Sequence, residues 1–150
     1  MSRSRWQQLA CFADTGFFYA LVDSGDRWHT EAQQILRQVQ QQNRIVVTST
    51  LVVAEAHALM LYRLGTAALQ WVSNVGNWVE ILPTEPAHHR RAVEILSQYA
   101  DQQFTYTDAV SFALIEAHGV SVAFSMDKHF IVFQGAFLTL PLAGVQLPVP

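Results

Sequence analysis

Short apolar runs bounded by turn-type residues alternate with segments of helical periodicity along most of this chain. That alternation restricts the fold to helices layered on a mainly parallel sheet, because parallel strands need long crossovers and those crossovers are usually helical. Strands are expected at Leu9–Ala13, Ile45–Thr48, Trp78–Leu82, Ser121–Phe124 and Phe137–Leu140. Helices are expected at Thr15–Val22, Thr66–Val75, Glu85–Tyr99 and Asp26–Gln42, where Ala32, Ile35, Leu36 and Val39 recur on one face. The glutamine-rich end of the last of these reads as a solvated face. A further helix, Thr50–Leu64, has Ser49 or Thr50 as its cap and Gly65 as its stop. Thr107–His118 is expected to end at Gly119.

With 150 residues, 51% hydrophobic and 14% charged, the chain has enough apolar material for a self-sufficient core. One domain over residues 1–150 is expected, with its core at about 8–141 and an extended tail at 142–150. From Pro141 to Pro150 the sequence holds three prolines and one glycine, which rules out a helix or a central strand there. The single cysteine, Cys11, cannot close an internal disulfide and reads as a buried thiol, so a reducing, cytoplasmic setting is expected. Met1 to Trp6 lacks the apolar core of a signal peptide, and no membrane span is expected.

Asp14, Glu55 and Asp108 each stand alone at the edge of an apolar segment, and Asp127 follows the fourth strand candidate. Carboxylates gathered by a fold are ligands for a hard cation such as Mg2+ or Mn2+, which activates water and steadies charge on a phosphodiester. Each also has a local structural reading. Asp14 suits an Asx turn or an N-cap; Thr105 and Asp108 are spaced as a capping box; Asp127 suits a surface turn. Glu55 is expected to point toward Leu51, Val52, Ala58 and Leu59, where burial of an unpaired carboxylate calls for a cation or a proton. If the first and fourth strands are neighbours, Asp14 and Asp127 reach one rim at the point where strand order reverses.

The formal charge is −3, which by itself argues against a nucleic-acid partner. Two divalent ions would bring that to about +1, leaving Arg63, Lys128 and Arg5 as a modest basic strip for a short single strand. Other chemistries find no support. The six histidines include no His-x-x-x-His or Cys-His spacing, and Gly-rich phosphate loops and nucleophile elbows are absent from the sequence.

Four motifs in order resemble the PIN domain family. They are Phe12-Ala13-Asp14-Thr15, Val52-Val53-Ala54-Glu55, the stretch Thr105-Tyr106-Thr107-Asp108-Ala109-Val110-Ser111-Phe112-Ala113, and Phe124-Ser125-Met126-Asp127-Lys128-His129-Phe130. Gly135-Ala136-Phe137 and Leu140-Pro141 are similar to the family's closing strand. The resemblance implies a three-layer α/β/α fold with a five-stranded mainly parallel sheet and Mg2+- or Mn2+-dependent ribonuclease activity. It implies Asp14 and Asp108 as direct metal ligands, Glu55 as a ligand directly or through water, and Asp127 as a ligand or a holder of water at the ion. Thr105, or Thr107, would support the site. The family includes VapC-like toxins of similar length that an antitoxin peptide holds inactive, so a type II toxin–antitoxin pair is expected. The acidic net charge and the proline-rich tail depart from the family pattern.

The expected reaction is hydrolysis of single-stranded RNA to 5′-phosphate and 3′-hydroxyl ends. A rival of another class is a non-cleaving interaction module whose acidic pocket receives a partner's arginine. The apolar helix Leu51–Leu64 and the tail offer a face for a homodimer or another partner, or are ordinary core.

Overall fold

The computed structural model describes residues 2–150. Five strands, β1 (Ala10–Ala13), β2 (Ile45–Ser49), β3 (Val79–Leu82), β4 (Val122–Ser125) and β5 (Leu138–Pro141), form one sheet in the order β3-β2-β1-β4-β5, and every pairing is parallel. Each lies within one residue of its expected bounds. All four residues of β1 and of β4 are buried, which is why β1 and the first three residues of β4 are continuously apolar and not alternating.

The helices are α1 (Arg5–Leu9), α2 (Thr15–Val22), α3 (His29–Gln41), α4 (Thr50–Leu64), α5 (Ala67–Asn74), α6 (Pro86–Gln98), α7 (Tyr106–His118) and α8 (His129–Val132). From β1 the chain moves outward to β2 and β3, then returns past β1 to β4 and β5. Right-handed crossovers in opposite directions place their helices on opposite faces of a sheet. The packing follows that rule: α2, α3, α4 and α5 contact one another in one group, α6, α7 and α8 in another. The result is the expected three-layer arrangement. Among the described residues no helix is long and apolar enough to cross a membrane.

Helices α1 and α8 were not anticipated. At five and four residues they are too short to show periodicity, and isolated helices of that length do not hold themselves. A capping box between Ser4 and Gln7 starts α1, so Leu9 ends a helix instead of opening β1. The Gln7 amide donates to the His118 carbonyl at 3.2 Å, tying α1 to the end of α7. Gly119 stops α7 in the left-handed region at φ 67°, which favours glycine, and a Cβ there would displace the Gln7 amide, 2.5 Å away. Helix α3 begins at His29 and not Asp26, because Asp26 Oδ1 accepts the Trp28 N–H at 2.8 Å and makes a turn of the preceding residues.

The tail packs back on the domain. Gln38 on α3 donates to the Val145 carbonyl at 2.8 Å and accepts the Leu147 N–H at 2.5 Å, while Gln42 donates to the Leu147 carbonyl at 3.0 Å. Arg44 reaches the Pro148 carbonyl, and the Leu147 side chain is fully buried. The glutamine-rich end of α3 is therefore not merely solvated. Its side-chain amides satisfy a backbone that has no strand to pair with.

Candidate active site

Strand order reverses between β1 and β4, and Asp14 follows β1 directly. Its N–H donates to the Phe124 carbonyl at 2.9 Å, extending the β1–β4 ladder by one rung. The residue occupies the N-cap position of α2, but its side chain makes no capping hydrogen bond. The Ser125 hydroxyl donates to Asp14 Oδ2 at 3.0 Å and accepts the Asp127 N–H at the same distance. One fully buried serine thus fixes two acids that follow neighbouring strands. Asp14 is 5% exposed and forms no ion pair among the described residues. Burial pushes its carboxyl up to about 7, helped by the charges of Asp108 and Glu55 and opposed by the Thr15 N–H and the Ser125 hydroxyl.

Asp108 is the third residue of α7, and the capping box expected from its spacing is present. Thr105 Oγ accepts the Asp108 N–H at 3.0 Å, and Asp108 Oδ2 accepts the Thr105 N–H at 3.1 Å. The box also turns this carboxylate inward, where it is buried. Burial raises its pKa, as does the charge of Asp127, while the Thr105 N–H and His129 lower it. Of the two threonines, Thr105 holds the carboxylate; Thr107 supplies its backbone carbonyl to the Ser111 hydroxyl.

Asp127 lies two residues past β4, in the turn that enters α8. Its Oδ1 accepts the His129 N–H at 2.9 Å, so the surface-turn role and proximity to the other acids hold together. The His129 ring folds back over this turn, placing Nδ1 at 3.1 Å from Asp108 Oδ2 and 3.4 Å from Asp127 Oδ1. Phe104 packs edge-on against that ring at 5.1 Å, and Phe112, Phe130 and Phe133 continue the aromatic layer beneath. One atom from each of Asp108, Asp127 and His129 lies within 4.8 Å of the others.

Glu55 requires a correction. The buried side of α4 is Val52, Ala56 and Met60, and Glu55 stands about 100° round the helix from Ala56. Its side chain is therefore exposed and not packed among Leu51, Val52, Ala58 and Leu59. It remains near enough for its charge to act on Asp14. Arg63, further along α4, lies over the Tyr19 ring at 5.3 Å, and Lys128 is exposed beside Asp127. Arg5 is on α1, at the opposite rim of the sheet, and leaves the basic strip. A cleft also opens at that opposite rim, lined by Leu36, Val39, Arg44, Val46 and Trp78 among others, with no carboxylate in its lining.

Sequence reasoning left three contributors unassigned. Ser125 and His129 were visible only as neighbours of Asp127. Thr15, next to Asp14, is 6% exposed with a hydroxyl that has no hydrogen-bond partner among the described residues. An orphaned hydroxyl beside an unpaired buried carboxylate, with further acids at the same rim, is a donor set that fits a hard divalent cation.

A family model described as PIN domain matches residues 11–135. The chain belongs to the PIN domain family. Among relatives of this PIN domain, the 23S rRNA-specific endonuclease VapC20 of Mycobacterium tuberculosis is 26% identical over 121 residues, covering 79% of this chain and 90% of that protein. The crystal structure of VapC20, a sarcin-ricin loop cleaving toxin, aligns with a TM-score of 0.74 at 24% identity, over 83% of this chain and 95% of the other. VapBC2 from Rickettsia felis, bound to a DNA fragment from its promoter, aligns with a TM-score of 0.67 at 11% identity, over 87% and 96% of the two chains. These structures share the PIN fold described above.

Proposed function

We propose that this PIN domain is a metal-dependent endoribonuclease that hydrolyses single-stranded RNA, and that it is the toxin of a type II toxin–antitoxin pair. The observation that carries the reading is Asp14, a buried carboxylate that forms no ion pair among the described residues, set at the switch point beside Asp108, Glu55 and Asp127. The endonuclease relative supports the nuclease half of the proposal, and the VapC20 toxin structure of the same fold supports the toxin half.

Asp14 and Asp108, the two buried acids, are assigned to hold Mg2+ or Mn2+, with Asp127 beside them and Glu55 reaching in from α4. A bound cation would supply an activated water and offset the charge that builds on the phosphoryl oxygens. Asp127, half-exposed with its backbone fixed through Ser125, would accept a proton from the attacking water. Ser125 keeps Asp14 and Asp127 in register, and Thr105 does the same for Asp108. Lys128, exposed next to Asp127, is assigned to the RNA backbone, with Arg63 a more distant contact. An antitoxin peptide is the proposed inhibitory partner, and a homodimer the proposed assembly.

Cleavage of a single-stranded RNA in Mg2+ or Mn2+, followed by end-group analysis, tests the reading. Expected products carry 5′-phosphate and 3′-hydroxyl ends, and a chelator abolishes them. Chelator-resistant cleavage, or a 2′,3′-cyclic phosphate product, defeats the proposal, since attack by the RNA's own 2′-hydroxyl needs no such cation.

A further inference from the structure

We infer that His129 is a nitrogen ligand of the divalent cation, converting an all-carboxylate site into a mixed oxygen and nitrogen site that favours Mn2+ over Mg2+. The inference rests on the reading of the acidic rim as a metal-dependent nuclease centre. Nδ1 stands 3.1 Å from Asp108 Oδ2 and 3.4 Å from Asp127 Oδ1. Adjacent donors around an octahedral ion with bonds of about 2.1 Å are themselves about 3 Å apart. Both measured separations are therefore suited to neighbouring positions on one ion. The shorter of them is also within hydrogen-bonding distance.

The ring is also held in this orientation. The His129 N–H is anchored on Asp127 Oδ1, Phe104 packs against the ring, and the next residue, Phe130, is buried. The turn into α8 needs only the backbone N–H of this residue. Its imidazole is not required for that turn, yet it lies between two acids that the fold has already gathered. A nitrogen donor alters the choice of metal: Mg2+ takes oxygen ligands and dehydrates reluctantly, whereas an imidazole adds affinity for transition ions.

Mn2+ is the probe, with the full chain labelled with 15N-histidine and studied by pulsed EPR. Hyperfine coupling to histidine nitrogen is expected in the wild-type protein and is expected to vanish in His129→Asn and His129→Phe. By calorimetry, both variants should lose Mn2+ affinity by about ten- to a hundredfold, with Mg2+ affinity falling by less than about threefold. Asn retains an N–H donor near the position of Nδ1. If His129→Asn keeps wild-type Mn2+ affinity while His129→Phe loses it, the histidine only clamps the acids, and the inference is overturned. Absence of nitrogen coupling in wild-type protein whose Mn2+ binding requires Asp108 overturns it too, and leaves the nuclease reading standing. If Asp108→Asn binds Mn2+ as the wild type does, the ion sits elsewhere and both readings fall.

Discussion

Burial lifts the Asp14 carboxyl to about 7 from an ordinary value of 3.8, so between those values the folded chain binds a proton that the unfolded chain releases. Stability of the metal-free protein should accordingly rise as pH falls from about 7 toward 4, and the ionised carboxylate should oppose folding above about 7. Asp14→Asn removes that opposition. The variant is expected to gain roughly 2 to 4 kcal/mol at pH 8 and little at pH 4, measured by urea unfolding without metal, while losing RNA cleavage. An equal gain at both pH values would contradict the assignment of the shift to Asp14. At this scale the sequence was informative about residue type and position, since Asp14, Asp108 and Asp127 all stand at the rim. It was silent on Ser125 and Thr15, whose hydroxyls gain their meaning from strands more than a hundred residues apart.

The elements that carry the acids also perform ordinary structural tasks. Helix α7 is started by Thr105, and the same reciprocal hydrogen bonds aim Asp108. Thr105→Ala is expected to cost about 1 kcal/mol of stability and to reduce cleavage at saturating metal, with Thr105→Ser restoring both. A loss of stability with unchanged cleavage would separate the cap from the site. Helix α4 shows where local pattern misleads. Its sequence is apolar nearly all round, which suggested burial of Glu55, yet Tyr62 is 88% exposed and Leu61 57% exposed on the same helix. Helical periodicity identifies a core face only when the opposite face is polar, and in α4 it is not.

For the whole molecule, parallel strands bring acids from separate segments to one end of the sheet, while α1 and the tail meet at the other. Tail and α1 close that far end, where Arg44 spans the Gln8 and Pro148 carbonyls and Leu147 fills the core. Leu147→Ala should destabilise the fold by about 2 to 5 kcal/mol, with the remaining folded protein cleaving RNA at an unchanged rate. A drop in cleavage per folded molecule would mean that the tail acts on the site and not only on the core. Burial of Cys11 in β1 raises its thiol to about 11, so it is inert as a nucleophile, as its place in an apolar run suggested.

Layer architecture, strand positions within a residue, and the identity of the acids at strand and helix ends follow from the sequence alone. These depend on local periodicity and on residues such as Gly65, Gly119 and Thr105 that act on their immediate neighbours. The strand order, the exposure of Glu55, the serine bridge, the turn of His129 onto Asp108 and the docking of the tail were decided only by tertiary structure. Each joins groups far apart in the chain, and a linear pattern carries no record of which distant partners packing will bring within hydrogen-bonding reach.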